Sequence, residues 1–277
     1  MKLHKYLLEK KYQLRGVNNR TPPYSYSSLC KEISKIKGVK ILTFHQHIEE
    51  NNILEKRLLI RHDIDYDPWT AEKMAVIESE NNLQATYFVL HTASYFKNKF
   101  KQTMEICRNI QSMGHEIGIH NDLISDYLIK GKDPKENLTE LLKVFEGEGI
   151  TISGSASHGS SFVQKLNNNL DKNAFITYRN YLVFSELLNK ALLNSPERRQ
   201  PPHPKFNRRE LSLPCLSMNE FELKYESYFV HFDHYVSDTA RRFWATGNDP
   251  INTLKKLENS DTIQCLFHPI WWKYFLL

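Results

Sequence analysis

Apolar runs that close on aspartate or histidine recur along this chain, and most are followed by a stretch with helical spacing. Arg57-Leu58-Leu59-Ile60-Arg61-His62-Asp63-Ile64-Asp65 is β-like and ends in acids. Pro68 follows it, and Ala71, Met74, Ala75 and Ile77 then repeat at near-helical spacing between Trp69 and Asn81. Ala85 to Leu90 reads as a second strand, Phe100 to Met113 as a helix ending at Gly114, and Glu116-Ile117-Gly118-Ile119-His120 as a third strand. Asn137 to Gly147 is helical, with Leu138, Leu141, Leu142, Val144 and Phe145 on or near one face, and Ile150 to Ser155 is a short strand leading to His158-Gly159. Strand and helix in alternation is the signature of a parallel α/β fold.

From Asn167 to Pro214 the period weakens and turn residues accumulate, as in an irregular insertion. Regularity resumes from Glu226 to Val236; a helix is expected from Pro250 to Leu257 and a last strand from Thr262 to Pro269. The chain divides on this reading into an N-terminal extension, residues 1–56, packing on a barrel of residues 57–277 with its insertion at 167–214. A chain of 277 residues buries about 75% of the surface its unfolded form exposes, so a core of that size needs no covalent staples.

Composition narrows the functions. Thirty-seven basic residues against 32 acidic ones are scattered, with no face of interleaved cations and aromatics, which speaks against nucleic-acid binding. The main local bias, Pro196 to Pro204 with Arg208 and Arg209, reads as a proline-stiffened surface loop. Cys30, Cys107, Cys215 and Cys265 are far apart, a pattern of neither a zinc knuckle nor a disulfide framework. Met1 to Arg15 lacks the apolar centre of a signal peptide, and no apolar run approaches the roughly 20 residues of a membrane helix. A cytoplasmic protein without stable membrane insertion is expected.

Asp63, Asp65, His120, His158 and His268 stand at the C-terminal ends of their strands or just beyond. In parallel α/β folds, and barrels above all, that end carries the active site. No glycine-rich phosphate cradle accompanies them. Residues two apart on a strand share a face about 6.6 Å apart, so of Asp63 and Asp65 one can bind metal while the other takes a proton; the competing reading is a structural charge cluster of Arg61, His62, Asp63 and Asp65. His120, with Asp122 on the same side if the extended run continues, and a carboxylate from elsewhere suit Zn²⁺ or another divalent ion. His268 lies among aromatic residues, an environment that tunes a proton donor, and Trp271 and Trp272 either stack on a sugar ring or close the core.

These residues together resemble the polysaccharide deacetylases. Ile60-Arg61-His62-Asp63-Ile64-Asp65 is similar to that family's first motif, Gly114 to His120 to its second, Asp238 with Trp244 downstream to its fourth, and Leu266-Phe267-His268-Pro269 to its last. The resemblance runs from about Leu58 to Trp272. It implies a distorted (β/α)7 barrel that removes acetyl from an N-acetylated sugar, with Asp63 as base, Asp65 and His120 as metal ligands, and His268 as acid steered by Asp238. Trp244 joins Trp271 and Trp272 as an expected sugar contact.

Two positions depart from the family pattern. Ile124 stands where a second metal-binding histidine is usual, four residues after His120, so His158 is the first choice for the missing ligand and Asp122 the second. The arginine usually paired with the base is not near His158, and Arg61 beside Asp63 is expected to replace it. The implied cofactor is a divalent metal, zinc first, with cobalt, nickel or manganese also suited. The implied substrate is a nucleotide- or lipid-linked precursor of a surface polysaccharide. The alternatives are another carbon–nitrogen hydrolase on the same barrel, such as a cyclic-amide hydrolase, a glycan-binding barrel without catalysis, or a scaffold without a ligand.

Overall fold

Acid and proline punctuation turns the long apolar run at Lys56–Ile64 into a strand followed at once by a helix. The strand is buried along almost its whole length, which is why its sequence shows a continuous run instead of an alternation. Asp67 then accepts from the backbone N–H of Thr70 at 3.0 Å, and Pro68 occupies the first turn, where no N–H is required.

The computed structural model describes residues 21–50, 54–159, 180–184, 205–206, 209–210, 215–244 and 249–277. In chain order the elements are α1 (Tyr26–Ser34), β1 (Val39–Leu42), α2 (Phe44–Glu49), β2 (Lys56–Ile64), α3 (Pro68–Glu80), β3 (Thr86–Leu90), α4 (Ser94–Asn98) and α5 (Phe100–Ser112). There follow β4 (Glu116–Asn121), α6 (Leu123–Lys130), α7 (Pro134–Gly147), β5 (Gly154–Ser157), a 3₁₀ turn (Asn180–Phe184), and the short antiparallel pair β6 (Lys205–Phe206) and β7 (Arg209–Glu210). The last are β8 (Tyr225–Glu226), β9 (His234–Ser237), α8 (Pro250–Lys256), β10 (Thr262–Phe267) and α9 (Pro269–Trp272). The chain forms two compact units, one of Met1–Tyr87, Ser112–Glu116 and His231–Leu277, the other of Phe88–Gln111 and Ile117–Val230.

In the first unit β1, β2, β10 and β9 are parallel neighbours: Leu42 pairs with Leu59, Leu266 with Arg61, and Leu266 with Ser237. Phe267 pairs with His62, and the next step in that register brings His268 level with Asp63. One face of β2 therefore delivers Arg61 and Asp63. Behind it, His62 Nε2 lies 2.7 Å from the buried carboxylate of Glu78, which also takes hydroxyl protons from Tyr26 and, at 2.6 Å, Tyr87. Burial pushes the Glu78 carboxyl up, but His62, His115 and the Tyr26 hydroxyl outweigh it and hold it below the usual range. His115, at the start of β4, accepts from the Ala85 N–H at 3.2 Å and is buried inside the same cluster.

In the second unit β4, β5 and β8 are parallel, with His120 opposite Ala156 and Ser155 opposite Glu226. Gly118 and Gly154 are required by close ring packing. A Cβ would meet the Phe88 ring at 2.6 Å in the first case and the Tyr225 ring at 2.3 Å in the second.

Several expected boundaries move. Extended structure near Ile150 starts only at Gly154 and runs to Ser157, one residue short of His158. The run from Glu226 to Val236 breaks into β8, a 3₁₀ turn and β9, because the buried Glu226 carboxylate accepts from Ser155, from the Ser157 N–H at 2.8 Å and from the Tyr228 N–H, curling the chain around itself. The helix expected from Asn137 begins at Pro134, capped by Asp133, and Val144 faces outward. Before residue 57 the chain contributes β1 to the sheet and carries α1, whose first N–H groups donate to the carbonyls of Phe275 and Leu276. The segment read as an insertion, and the loop of Pro196 to Pro204, lie largely or wholly outside the described residues.

Candidate functional site

On β2 the guanidinium of Arg61 grips Asp63 as a fork, Nε to Oδ1 at 2.7 Å and Nη2 to Oδ2 at 2.8 Å. Both side chains are buried, and a paired, doubly hydrogen-bonded carboxylate is the form in which a charge is tolerated there. Asp65 follows just beyond the strand, partly exposed, its N–H donating to the Asp63 carbonyl at 3.1 Å.

The same unit presents His268 at the end of β10. Its ring Nδ1 lies 2.6 Å from Asp238 Oδ1, its backbone N–H donates to the same carboxylate, and the indole N–H of Trp272 donates to Oδ2 at 2.9 Å. Asp238 has no exposed surface. The chain turns sharply behind it, with Ala240 and Arg241 both at positive φ, a conformation that non-glycine residues adopt at a cost. Burial pulls the His268 pKa down, but the charge and hydrogen bond of Asp238, with Asp65 and Asp63 behind them, raise it to about 9.

In the second unit His120 ends β4 with Nδ1 at 2.8 Å from the Ala156 carbonyl. A carbonyl only accepts, so Nδ1 carries the proton and Nε2 keeps the lone pair that a metal needs. His158 stands just past β5, its ring centroid 5.0 Å from that of His120, its N–H donating to the Asn121 carbonyl. Nδ1 of His158 lies 3.3 Å from Asp122 Oδ1.

Asp122 is not on an extended run: β4 stops at Asn121 and Asp122 caps α6 with ψ near 24°. Its carboxylate accepts from Thr92 Oγ1 at 2.6 Å and Asn180 Nδ2 at 3.0 Å, and its N–H donates to His91 Nε2 at 3.2 Å. Burial would raise the Asp122 carboxyl, but the hydrogen bonds and charge of His158 and the donation from Thr92 and Ser125 lower it to about 2. His91 is buried and driven down to about 4, chiefly by burial, so it accepts as a neutral ring. Ile124 is in the core with no exposed surface.

In the second unit, then, His120 and His158 stand ring beside ring, each with its Nδ1 next to an oxygen acceptor as ligating histidines have, and a pair of imidazoles so backed suits a divalent ion such as Zn²⁺. Of the two candidates for the third ligand, His158 stands beside His120 and Asp122 stands behind it. In the first unit Asp65 offers a carboxylate at the exit of β2.

The three tryptophans differ. Trp272 is fully buried, packed edge-on against Tyr26, Phe243 and Phe267, so its ring offers no face to a sugar and its N–H serves Asp238 instead. Trp244 and Trp271 are half-buried. Sequence reasoning passed over His91, Thr92 and Asn180, which carry no spacing signal because their partner Asp122 is about 30 residues away in one direction and 58 in the other. No family model, curated protein or solved structure matches this chain. Among the described residues no helix is long and apolar enough to cross a membrane.

Proposed function

We propose that this chain is a metal-dependent hydrolase on a distorted (β/α)7 barrel that removes the acetyl group from an N-acetylated sugar, a nucleotide- or lipid-linked precursor of a surface polysaccharide. The observation that carries the reading is the pair His120 and His158, their ring centroids 5.0 Å apart and each Nδ1 beside an oxygen acceptor; the reading adds Asp65 as carboxylate ligand, two residues from Asp63.

Asp65, His120 and His158 would hold the ion. A divalent ion bound there supplies a Lewis acid for the acetamide oxygen and brings the pKa of water from near 15.7 towards about 7. Asp63, held in its fork by Arg61, takes the proton of the attacking water. Arg61 fixes the plane of that carboxylate. His268 holds its Nδ1 proton towards Asp238 and, with its pKa at about 9, carries a second proton on Nε2 near neutral pH. That proton goes to the departing nitrogen, since an amine leaves poorly unless protonated.

An acetate-release assay on N-acetyl-sugar nucleotides, with and without a chelator, tests the reading. Metal-dependent acetate release is expected; release that is untouched by thorough metal removal sinks it.

A further inference from the structure

Asn180 lies outside every motif, yet it is fully buried and all of its side-chain capacity is spent on three residues, Asp122, Ser125 and His158 itself. Its Nδ2 donates to Asp122 Oδ1 at 3.0 Å and to the backbone carbonyl of His158 at 2.8 Å, with the Ser125 hydroxyl further off at 3.3 Å. Its Oδ1 accepts from the Ser125 N–H at 3.1 Å and faces the Ser125 hydroxyl at 3.4 Å. An amide has two protons and two lone pairs, and here all four are used. Its own backbone carbonyl takes the Asn121 side-chain N–H at 3.2 Å, and the next residue, Tyr181, donates its N–H to Ser157 Oγ at 3.0 Å. One amide thus holds His158 by two routes. It grips the residue's main chain directly, and it fixes the Asp122 oxygen that lies 3.3 Å from the ring Nδ1.

We propose that Asn180 is the positioning residue of the metal centre, setting the direction in which His158 presents Nε2. The inference rests on the metal reading above, and it concerns the ring's aim and not the chemistry at the ion. A ring whose backing carboxylate is free to turn explores more orientations, and loss of such outer partners typically weakens metal binding roughly 10- to 100-fold. Aspartate at this position would replace two donors by acceptors facing Asp122 and a carbonyl, so it is the harsher change. Serine keeps one donor and falls between.

The test is Co²⁺ and Zn²⁺ affinity by competition with a chromophoric chelator, on the full chain, for wild type, Asn180→Ser, Asn180→Ala and Asn180→Asp. Far-UV circular dichroism of the metal-free proteins reports folding. Affinity is expected to fall in that order, with a roughly 10- to 100-fold loss for Asn180→Ala. The same substitution in a His158→Ala background separates positioning from general loosening: if Asn180 acts through His158, its effect largely vanishes there, whereas a structural effect adds in full. Wild-type affinity in folded Asn180→Ala, or full additivity in the double variant, overturns the positioning role while leaving the metal site standing. A wild-type chain that takes up neither ion overturns both.

Discussion

Asp238 holds His268 from two sides, taking the ring Nδ1 at 2.6 Å and the residue's own backbone N–H at 3.0 and 3.1 Å. The pair fixes both where the imidazole points and how strongly it keeps its second proton.

Asp238→Asn is therefore expected to drop the His268 pKa from about 9 towards its ordinary 6.5, read directly from the ring's NMR titration in the metal-free protein. Turnover should fall on the order of 10²- to 10⁴-fold, the range for a general acid. The sign for stability follows from the same shift. Because the folded pKa is raised, the stabilisation is complete below pH 6.5 and is lost as pH climbs through about 9, so melting temperature should decline across that interval in wild type and much less in the variant. An unchanged titration in Asp238→Asn would remove Asp238 from the site.

The two aspartates of β2 and its exit should separate cleanly. Asp63→Asn is expected to keep its metal and lose about 10²- to 10⁴-fold in turnover, whereas Asp65→Asn and His120→Ala should lose the metal itself and His158→Ala should bind it weakly but measurably. Metal content of the purified variants by mass spectrometry decides the matter. Full occupancy in His120→Ala would overturn the ligand set.

Glu78 gives a prediction with no link to turnover chemistry. Its carboxylate is buried with His62, Tyr26 and Tyr87 around it, so Glu78→Gln leaves these groups around a neutral amide and should cost about 3–5 kcal/mol in chemical denaturation. The folded pKa is lowered, so this contribution is present above the ordinary carboxylate range and fades as pH falls below it. The folded fraction should still bind metal.

Trp271 and Trp272 are neighbours with opposite expected phenotypes. Trp272→Ala empties a fully buried site and should destabilise by about 3–5 kcal/mol. Trp271→Ala, at a half-buried ring, should leave the melt nearly unchanged and raise KM for the sugar. Equal destabilisation by the two would assign both rings to the core.

Much of the framework was legible because the chain advertises it. The strand at Lys56–Ile64, the helix at Pro68–Glu80 and the strand at Thr86–Leu90 carry apolar runs and periods that their caps confirm. Asp63, Asp65, His120 and His268 could be singled out because each stands at or just past the end of such a run. Asp122 could not be placed, since whether β4 continued or stopped at Asn121 depends on an N-cap whose partners come from distant loops. α1 was missed because its start is stabilised by carbonyls of Phe275 and Leu276 at the other end of the chain, and Asn180 because a single amide in an aperiodic stretch leaves no pattern at all.

The pairing of β2 with both β1 and β10 has a consequence for biosynthesis. β1 is available as soon as β2 is made, but the strand that covers its other side emerges only after the entire second unit has been translated. Until then a nascent chain carries an apolar strand with an open row of amides and carbonyls, the kind of edge that recruits other strands. The second unit, contiguous in sequence but for its Phe88–Gln111 segment, can mature first, while the unit that owns Asp63, Asp238 and His268 is finished last. Truncated chains from interrupted synthesis are thus the species from which aggregation should start, and chaperone demand should peak before β10 leaves the ribosome.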